Sequence, residues 1–138
     1  MFELTIDQIK NILPHRGPML LIEKMTVRDK HASASYRFKG DEWFFQGHYP
    51  DDPIVPGAIL CEIMAQASCG LFIDNIKNKT PYLITMNHVK FRKTVKPEDI
   101  LTVDSFFTEM KGPFYHTNCK TYVNEILTAE GEFSFILK

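Results

Sequence analysis

Glu62 is the side chain whose surroundings in this sequence favour acid–base chemistry most strongly. It is the only Asp, Glu, Lys, Arg or His between Asp52 and Asp74, and it interrupts an almost wholly apolar run, GAILCEIMAQASCGLFI (residues 57–73). Burial disfavours the charged form of a carboxyl group, so we expect a raised pKa and a proton retained near neutral pH. A general acid needs that state. The alternative is a carboxylate that pairs with a Lys or Arg of a strand, or with a partner helix.

His48 is the candidate base for the same chemistry. It follows Gly47 and precedes a loop in which Pro50, Pro53 and Pro56 restrict the backbone. A histidine near its intrinsic pKa is suited to take a proton from the carbon next to a thioester carbonyl. The alternative is an ordinary polar residue of a loop.

The start of the apolar run adds a third chemical element. Pro56 suits the first turn of a helix, and the first N–H groups of a helix are unpaired and carry partial positive charge. Gly57 lets a carbonyl group approach these N–H groups, which can stabilise an enolate oxygen; alternatively, it only permits close packing. Gln66 lies one helical turn beyond Glu62 on the same face. A base, N–H donors and a buried acid are together what the β-elimination of water requires.

One buried helix and a sheet must position these residues. A helix is predicted from about residue 56 to residues 74–75, because a helix that is apolar all round must be buried. Thr5, with Gln8 three residues later, predicts the start of a short first helix that ends at Pro14. Strands are predicted at residues 19–27, 32–38, 82–91, 101–110, 114–123 and 126–137. We therefore predict an α+β fold, a single domain over residues 1–138 in which an antiparallel sheet of about six strands wraps around one central buried helix.

Composition argues against several classes of protein. The 138 residues carry a formal net charge of −1, unlike a strongly basic nucleic-acid binder. Neither metal-ligand spacing nor a phosphate-binding or dinucleotide motif occurs, so no metal and no cofactor are expected. The apolar run is short and carries a central carboxylate, unlike a membrane span. Three cysteines without disulfide spacing, and a first segment unlike a signal peptide, predict a reducing, cytoplasmic location.

Two motifs resemble those of FabZ-type (3R)-hydroxyacyl-[acyl carrier protein] dehydratases. FFQGHYPDDPIVPGAILCEIMAQASCG (residues 44–70) is similar to their active-site signature, and LPHRGPMLLIEKM (residues 13–25) is similar to their N-terminal motif. The later segment FRKTVKPED also fits, and the resemblance thins beyond Leu101. It implies a hotdog fold. It also implies dehydration of a (3R)-hydroxyacyl group on acyl carrier protein to a trans-2-enoyl thioester, in fatty acid or related polyketide or polyene biosynthesis.

The resemblance further implies roles for particular residues. His48 of one subunit would take the α-proton, and Glu62 of the other would protonate the departing hydroxyl group. The Gly57 amide would hold the thioester oxygen, and Gln66 would orient Glu62. A homodimer, or a trimer of dimers, is expected, without a cofactor. His15, with the adjacent Arg16, belongs to the N-terminal motif and is expected to position the loop or to contact the carrier protein.

Three residues depart from the family pattern. Asp51 stands where the family usually has Gly, and we expect the loop to tolerate it because Asp is among the residues that accept a positive φ. Gly17 replaces an aromatic residue, and Ala58 replaces a larger aliphatic one. Glu62 differs from the Asp that is typical of the related dehydratase/isomerase branch, so isomerase activity is not carried over.

A basic segment, HVKFRKTVK (residues 88–96), contains Lys90, Arg92, Lys93 and Lys96 and no acidic residue. It is interpreted as a surface that attracts an acidic acyl carrier protein, or as an ordinary strand edge protected by lysines. Two other functions are compatible with the same fold: an acyl thioesterase and a non-catalytic acyl-binding protein. The presence of both His48 and Glu62 favours the dehydratase.

Overall fold

Seven strands and two helices account for most of the chain. The structure, a computed structural model, describes residues 2–138. In chain order the elements are β1 (Phe2–Leu4), α1 (Ile6–Ile12), β2 (Lys24–Arg28), β3 (His31–Arg37), α2 (Gly57–Ser68), β4 (Pro81–Phe91), β5 (Ile100–Lys111), β6 (Phe114–Val123) and β7 (Ile126–Leu137). Short 3-10 turns lie at Gly17–Met19, Trp43–Gln46 and Cys69–Phe72. Neighbouring strands pair antiparallel in the order β1-β2-β3-β5-β6-β7-β4.

The burial pattern along β5 shows how the sheet covers the helix. Leu101, Val103 and Ser105 are buried, and the residues between them are not. Successive side chains of a strand point to opposite faces, so every second residue of β5 reaches the core. That buried face packs on α2, which contacts β3, β5, β6 and β7. The predicted α+β class, an antiparallel sheet around one central buried helix, is confirmed. The structure has one strand more than the six predicted. This strand is β1, which is too short to show alternation in the sequence.

Helix α2 is shorter than predicted. It begins at Gly57 as expected, but the α-helix ends at Ser68 and continues only as the 3-10 turn Cys69–Phe72. The Ser68 hydroxyl donates to the Met64 carbonyl oxygen, 3.0 Å away. Gly70 packs so closely on the Met25 thioether of β2 that a Cβ would collide with it. The sheet therefore holds the end of the helix in place, and the apolar run extends past the helix because the following turn is also buried.

The predicted strand over residues 19–27 is wrong in its first half. Met19 ends a 3-10 turn, and only Lys24–Arg28 pairs in the sheet. Leu21 and Ile22 are buried, which explains their apolar character without a strand. The Leu21 N–H donates to a side chain of α2 instead of to a neighbouring strand. This stretch is therefore anchored to the central helix.

The first helix confirms the capping prediction. The Thr5 hydroxyl accepts a hydrogen bond from the Gln8 N–H, and the Gln8 side chain accepts one from the Thr5 N–H. At the other end, the Arg16 guanidinium donates to the carbonyl oxygens of Lys10 and Leu13. Arg16 therefore closes α1 and fixes the direction of the segment that follows. Within residues 2–138, no helix has the length and apolar character to cross a bilayer.

Candidate active site

Glu62 lies at the centre of a small polar cluster on the second turn of α2. The Nε2 atom of His15 is 3.1 Å from its Oε2 atom. The Gln66 side-chain amide donates to the same oxygen over 2.8 Å, as its position one turn along the helix predicts. The alternative partner expected from the sequence was a Lys or Arg of a strand. The partner is instead a histidine from the segment after α1.

Gln66 connects this cluster to the N-terminal motif. Its Nε2 group also donates to the Met19 carbonyl oxygen at 2.7 Å, and its Oε1 atom accepts from the Leu21 N–H at 3.0 Å. A buried amide with this many partners has one orientation, because its oxygen only accepts and its nitrogen only donates. Gln66 is 1% exposed. It therefore fixes both the Glu62 carboxylate and the backbone that follows His15.

The pKa of Glu62 is lowered, contrary to the expectation from the sequence. Burial opposes ionisation, but the hydrogen bonds from His15 and Gln66, together with the charge of His15, hold the pKa of this carboxyl group below its ordinary value. The expectation of a raised pKa was wrong because it assumed a carboxyl group without partners. Its side chain is 28% exposed in the single chain and accepts two hydrogen bonds.

His48 is held by the loop that follows it. Its Nδ1 atom lies 3.2 Å from the Ile54 carbonyl oxygen, and the Ile54 N–H donates to the His48 carbonyl oxygen at 2.9 Å. A carbonyl oxygen only accepts, so Nδ1 carries the hydrogen and Nε2 keeps a free lone pair. The ring also stacks on Tyr49 at 4.2 Å between centroids. This geometry presents Nε2 as the basic atom.

His48 and the start of α2 line one pocket of about 280 Å³. The first hydrogen bonds of the helix are donated by Ile59 and Leu60 to the Pro56 carbonyl oxygen, so the Gly57 N–H precedes the helical ladder. The Phe91 ring packs on Gly57: an added Cβ would lie 2.8 Å from its Cζ atom. The close packing that we gave as the alternative explanation for Gly57 is therefore observed. It occurs in the pocket that His48 also lines.

Glu62 lines a second pocket, of about 170 Å³, together with His15, Gln66 and Cys69. Its remaining wall comes from β4 and β7: Pro81, Tyr82, Leu83 and Phe135. Within one chain, His48 and Glu62 therefore line different pockets, which lie at opposite ends of β4. The structure brings Glu62 and Gln66 together, and separately His48 and Gly57.

The basic segment is less positive than its sequence indicates. The Arg92 guanidinium donates to Glu130 of β7 at 2.7 Å, and Lys90 lies opposite Glu130 in the sheet register. The Arg92 hydrogen bond holds the pKa of Glu130 below its ordinary value. Lys93 lines the His48 pocket, and Lys96 is exposed in the turn beyond. Acidic residues of a strand distant in sequence thus offset part of the predicted charge.

The departures from the family pattern have different structural outcomes. Gly17 has a φ of +56°, a conformation that suits glycine. Asp51 is not among the non-glycine residues with positive φ in the described chain, so the explanation offered for it was wrong. Ala58 is exposed at the first turn of α2.

No cluster of three His, Cys, Asp or Glu side chains suited to a metal occurs in residues 2–138.

Comparison with known proteins agrees with both motifs. The family model described as a FabA-like domain matches residues 13–132. A 3-hydroxyacyl-[acyl-carrier-protein] dehydratase FabZ from Fusobacterium nucleatum is 36% identical over 137 residues, which cover 97% of each chain. The enzyme of the same name from Clostridium tetani is 38% identical over 141 residues, which cover 99% of each.

The chain belongs to the FabZ family. Solved structures agree on the fold. A chain of the dehydratase heterocomplex ApeI:P from Xenorhabdus doucetiae has a TM-score of 0.79 and 18% identity, covering 94% of this chain and 90% of that one. A hypothetical thioesterase protein from Streptococcus pneumoniae, solved with coenzyme A, has a TM-score of 0.68 and 13% identity, covering 98% and 97%. The hotdog fold predicted from the family resemblance is confirmed.

His15 has a contact that sequence reasoning did not predict. We expected it to position the loop or to contact a carrier protein, and the structure adds a contact between its imidazole ring and Glu62. The only signal in the sequence was its position in the N-terminal motif of the FabZ family, directly after the proline that ends α1. Sequence spacing does not relate residue 15 to residue 62, because the contact depends on how the first segment folds onto α2.

Proposed function

We propose that this chain removes water from a (3R)-hydroxyacyl group carried on acyl carrier protein, giving the trans-2-enoyl thioester. The observation that carries the proposal is that His48, with Nδ1 engaged by the Ile54 carbonyl oxygen, lines the same pocket as the start of α2. The full-length relationship to FabZ dehydratases supports the same reaction. Fatty acid biosynthesis, or a related polyketide or polyene route, would supply the substrate.

The reaction needs a base, an electrostatic stabiliser and an acid. His48 Nε2 takes the proton next to the thioester carbonyl, while the Gly57 N–H stabilises the negative charge that develops on the carbonyl oxygen. Glu62 delivers a proton to the departing hydroxyl group, and Gln66 holds the carboxyl group in place. Neither a metal nor a cofactor has a step in this mechanism.

We further propose that the working unit is a homodimer. Strand β4 is an edge strand of the sheet, yet it exposes five large apolar side chains: Tyr82, Leu83, Ile84, Met86 and Phe91. A long apolar edge is a site for pairing with another chain. One end of β4 lines the Glu62 pocket, and Phe91 at the other end lines the His48 pocket.

A two-fold axis between two copies of β4 would join the two half-sites. Antiparallel pairing about such an axis sets the Tyr82 end of one strand beside the Phe91 end of the other. Glu62 of one protomer would then approach His48 of its partner. A trimer of such dimers is the larger assembly that we propose. The mass in solution distinguishes a dimer from this hexamer.

We propose acyl carrier protein as the partner and Lys90, Arg92, Lys93 and Lys96 as its contact surface. Lys93 has the strongest support, because it lines the His48 pocket and, unlike Arg92, is not among the described ion pairs.

We also propose that residues 1–138 form a single domain and act in the cytoplasm, where the buried cysteines Cys61, Cys69 and Cys119 would stay free thiols.

The test is incubation of the protein with a (3R)-hydroxyacyl thioester. Enoyl thioester is followed by ultraviolet absorbance, and free thiol by a thiol reagent. Enoyl formation without thiol release is expected. Thiol release would establish the thioesterase alternative, and binding without either product would establish the acyl-binding alternative.

A further inference from the structure

The imidazole ring of His15 has a single polar interaction among the described residues. Its Nε2 atom lies 3.1 Å from Glu62 Oε2, whereas its Nδ1 atom is buried and has no hydrogen-bond partner in the described chain. A histidine with a purely structural role usually has both ring nitrogens satisfied. The contact with Glu62 is therefore the one polar interaction that accounts for the position of the His15 ring.

The acid in this reaction must hold a proton before the hydroxyl group leaves. Glu62 by itself is poorly suited to do so at neutral pH, since its partners hold its pKa below the ordinary value. A histidine and a carboxylate in contact titrate as a unit. The His15 Nε2 atom lies within hydrogen-bond distance of Glu62 Oε2, so a proton on the imidazole ring can pass directly to the carboxylate.

We infer that His15 supplies the proton that Glu62 gives to the departing hydroxyl group. The inference rests on the proposed dehydratase function. His15 acts through Glu62 and does not touch the substrate, so it is a positioning residue for the proton.

The elimination transfers two protons between the protein and the substrate. His48 Nε2 takes the α-proton, and the electrons of that C–H bond form the carbon–carbon double bond. The carbon–oxygen bond breaks, and its electrons leave with the hydroxyl group. Glu62, which starts as the carboxylate, receives the His15 Nε2 proton and passes it to the departing hydroxyl group. Water departs, His48 ends protonated and His15 ends neutral. Proton exchange with solvent restores both rings.

Within one chain, the other groups around the pair leave His15 as its source of positive charge, and in the proposed dimer the partner's His48 would face Glu62 from the other side of the site. Cys69, from the turn after α2, and Tyr82, from β4, line the same pocket, and burial raises the pKa of the Cys69 thiol. Phe135 of β7 adds an apolar wall. The adjacent Arg16 is engaged by the carbonyl oxygens of α1.

The kinetic test is the pH profile of His15→Gln. Glutamine keeps a hydrogen-bond donor for Glu62 but cannot hold the titrating proton. We expect kcat at neutral pH to fall at least about tenfold. The loss should also depend on pH, because glutamine has no ring proton to pass to Glu62, whereas loss of a merely structural contact would lower kcat equally at every pH. His31→Gln, on a ring that pairs with Asp104 instead, is the matched control. A uniform loss at every pH would overturn the inference.

A second measurement needs no activity. Imidazole ¹⁵N NMR of the unliganded protein should show a changed His15 Nε2 resonance in Glu62→Gln, because the hydrogen-bond partner changes from a carboxylate to an amide. An unchanged Nε2 resonance overturns the inference even if the His15→Gln protein fails to fold. If the wild type forms no enoyl product while this NMR coupling is present, the proposed function fails and proton delivery fails with it. Dehydration by the wild type with an unchanged profile refutes the His15 role alone.

Discussion

The hydrogen bond from His48 to the Ile54 carbonyl oxygen determines which imidazole nitrogen is available as the base. It places the hydrogen on Nδ1, so that Nε2 carries the lone pair of the neutral ring, and His48 lines the pocket at the start of α2. Backbone contacts across the same loop, between Tyr49 and Asp52, hold the ring where Gly57 begins the helix. At the residue scale, the reactive geometry therefore depends on the stiff loop as much as on the histidine.

His48→Ala is expected to lower turnover at least about 100-fold, within the range for loss of a positioned base. The measurement is enoyl formation at saturating substrate, with circular dichroism to establish folding. His31→Ala removes an imidazole from a different strand and should keep near wild-type activity. Wild-type turnover in a folded His48→Ala protein would remove this residue from the mechanism.

Gly57→Ala should lower kcat/KM about tenfold, because the new methyl group displaces the Phe91 ring and alters the pocket at the helix start. Phe91→Leu lacks the three ring atoms that the methyl group would meet. The double variant should therefore recover activity relative to Gly57→Ala, in a double-mutant cycle. Additive losses would show that the contact between these residues does not control the site.

At the scale of elements, a buried polar contact fixes the end of α2 against the sheet. The Ser68 hydroxyl lies 2.8 Å from that of Ser105 on β5 and 3.0 Å from that of Thr117 on β6. Ser68 is fully buried. The contact therefore holds the end of the helix that carries Glu62 against the sheet.

Ser68→Ala should reduce the free energy of unfolding by about 1–3 kcal/mol, since it leaves buried hydroxyl groups short of a partner. Urea unfolding at fixed protein concentration measures the change. Ser33→Ala makes the same chemical change on a partly exposed strand position and should have little effect. Equal destabilisation by both variants would contradict the importance of the contact.

The C-terminal end of β4 carries the proposed docking surface. Lys93→Glu combined with Lys96→Glu should raise the Michaelis constant for carrier-bound substrate several-fold, because attraction between exposed charges is lost. Turnover of a short thioester without carrier should barely change, and added salt should reduce the difference.

The control for this surface is Lys77→Glu with Lys79→Glu, which changes net charge equally in the segment between α2 and β4. It should leave both substrates unaffected. Equal losses on both substrates in the Lys93/Lys96 variant would indicate damage to the pocket. No loss on either would leave these lysines as ordinary solvated residues.

At the scale of the whole molecule, the proposed reaction needs a second copy, because His48 and Glu62 line separate pockets within one chain. The pockets of His48 and Glu62 lie at opposite ends of β4, whose apolar side chains are exposed in the single chain. Pairing of two β4 strands would bury this edge and complete two equivalent sites. Assembly and catalysis would then depend on the same strand.

Mixing His48→Ala with Glu62→Gln should restore activity to two inactive proteins. Each mixed dimer has one site with both native residues, so equal mixing should give about a quarter of wild-type activity. Mass spectrometry of the intact assembly verifies subunit exchange. If activity stays at the level of the single variants after exchange, the site is not shared between protomers.

The sequence by itself determined where α2 starts and where the strands in the second half of the chain lie. It also determined the order along the chain of the candidate base, the helix N–H donors and the candidate acid. Pro56 and Gly57 signal a helix N-terminus by local geometry, and β5 to β7 are rich in strand-forming residues and are separated by turn signals. The family of the chain was also readable, because its two motifs are continuous segments. Gln66 beside Glu62 followed from helical periodicity alone.

Only the tertiary structure decided the electrostatics of the acid. Glu62 pairs with His15, and Arg92 with Glu130, across long sequence separations. The pKa of a carboxyl group depends on which charges and donors lie within a few ångströms, and chain folding sets those distances. The separation of His48 from Glu62 was likewise decided by the path of β4 between the two pockets, which no local pattern encodes.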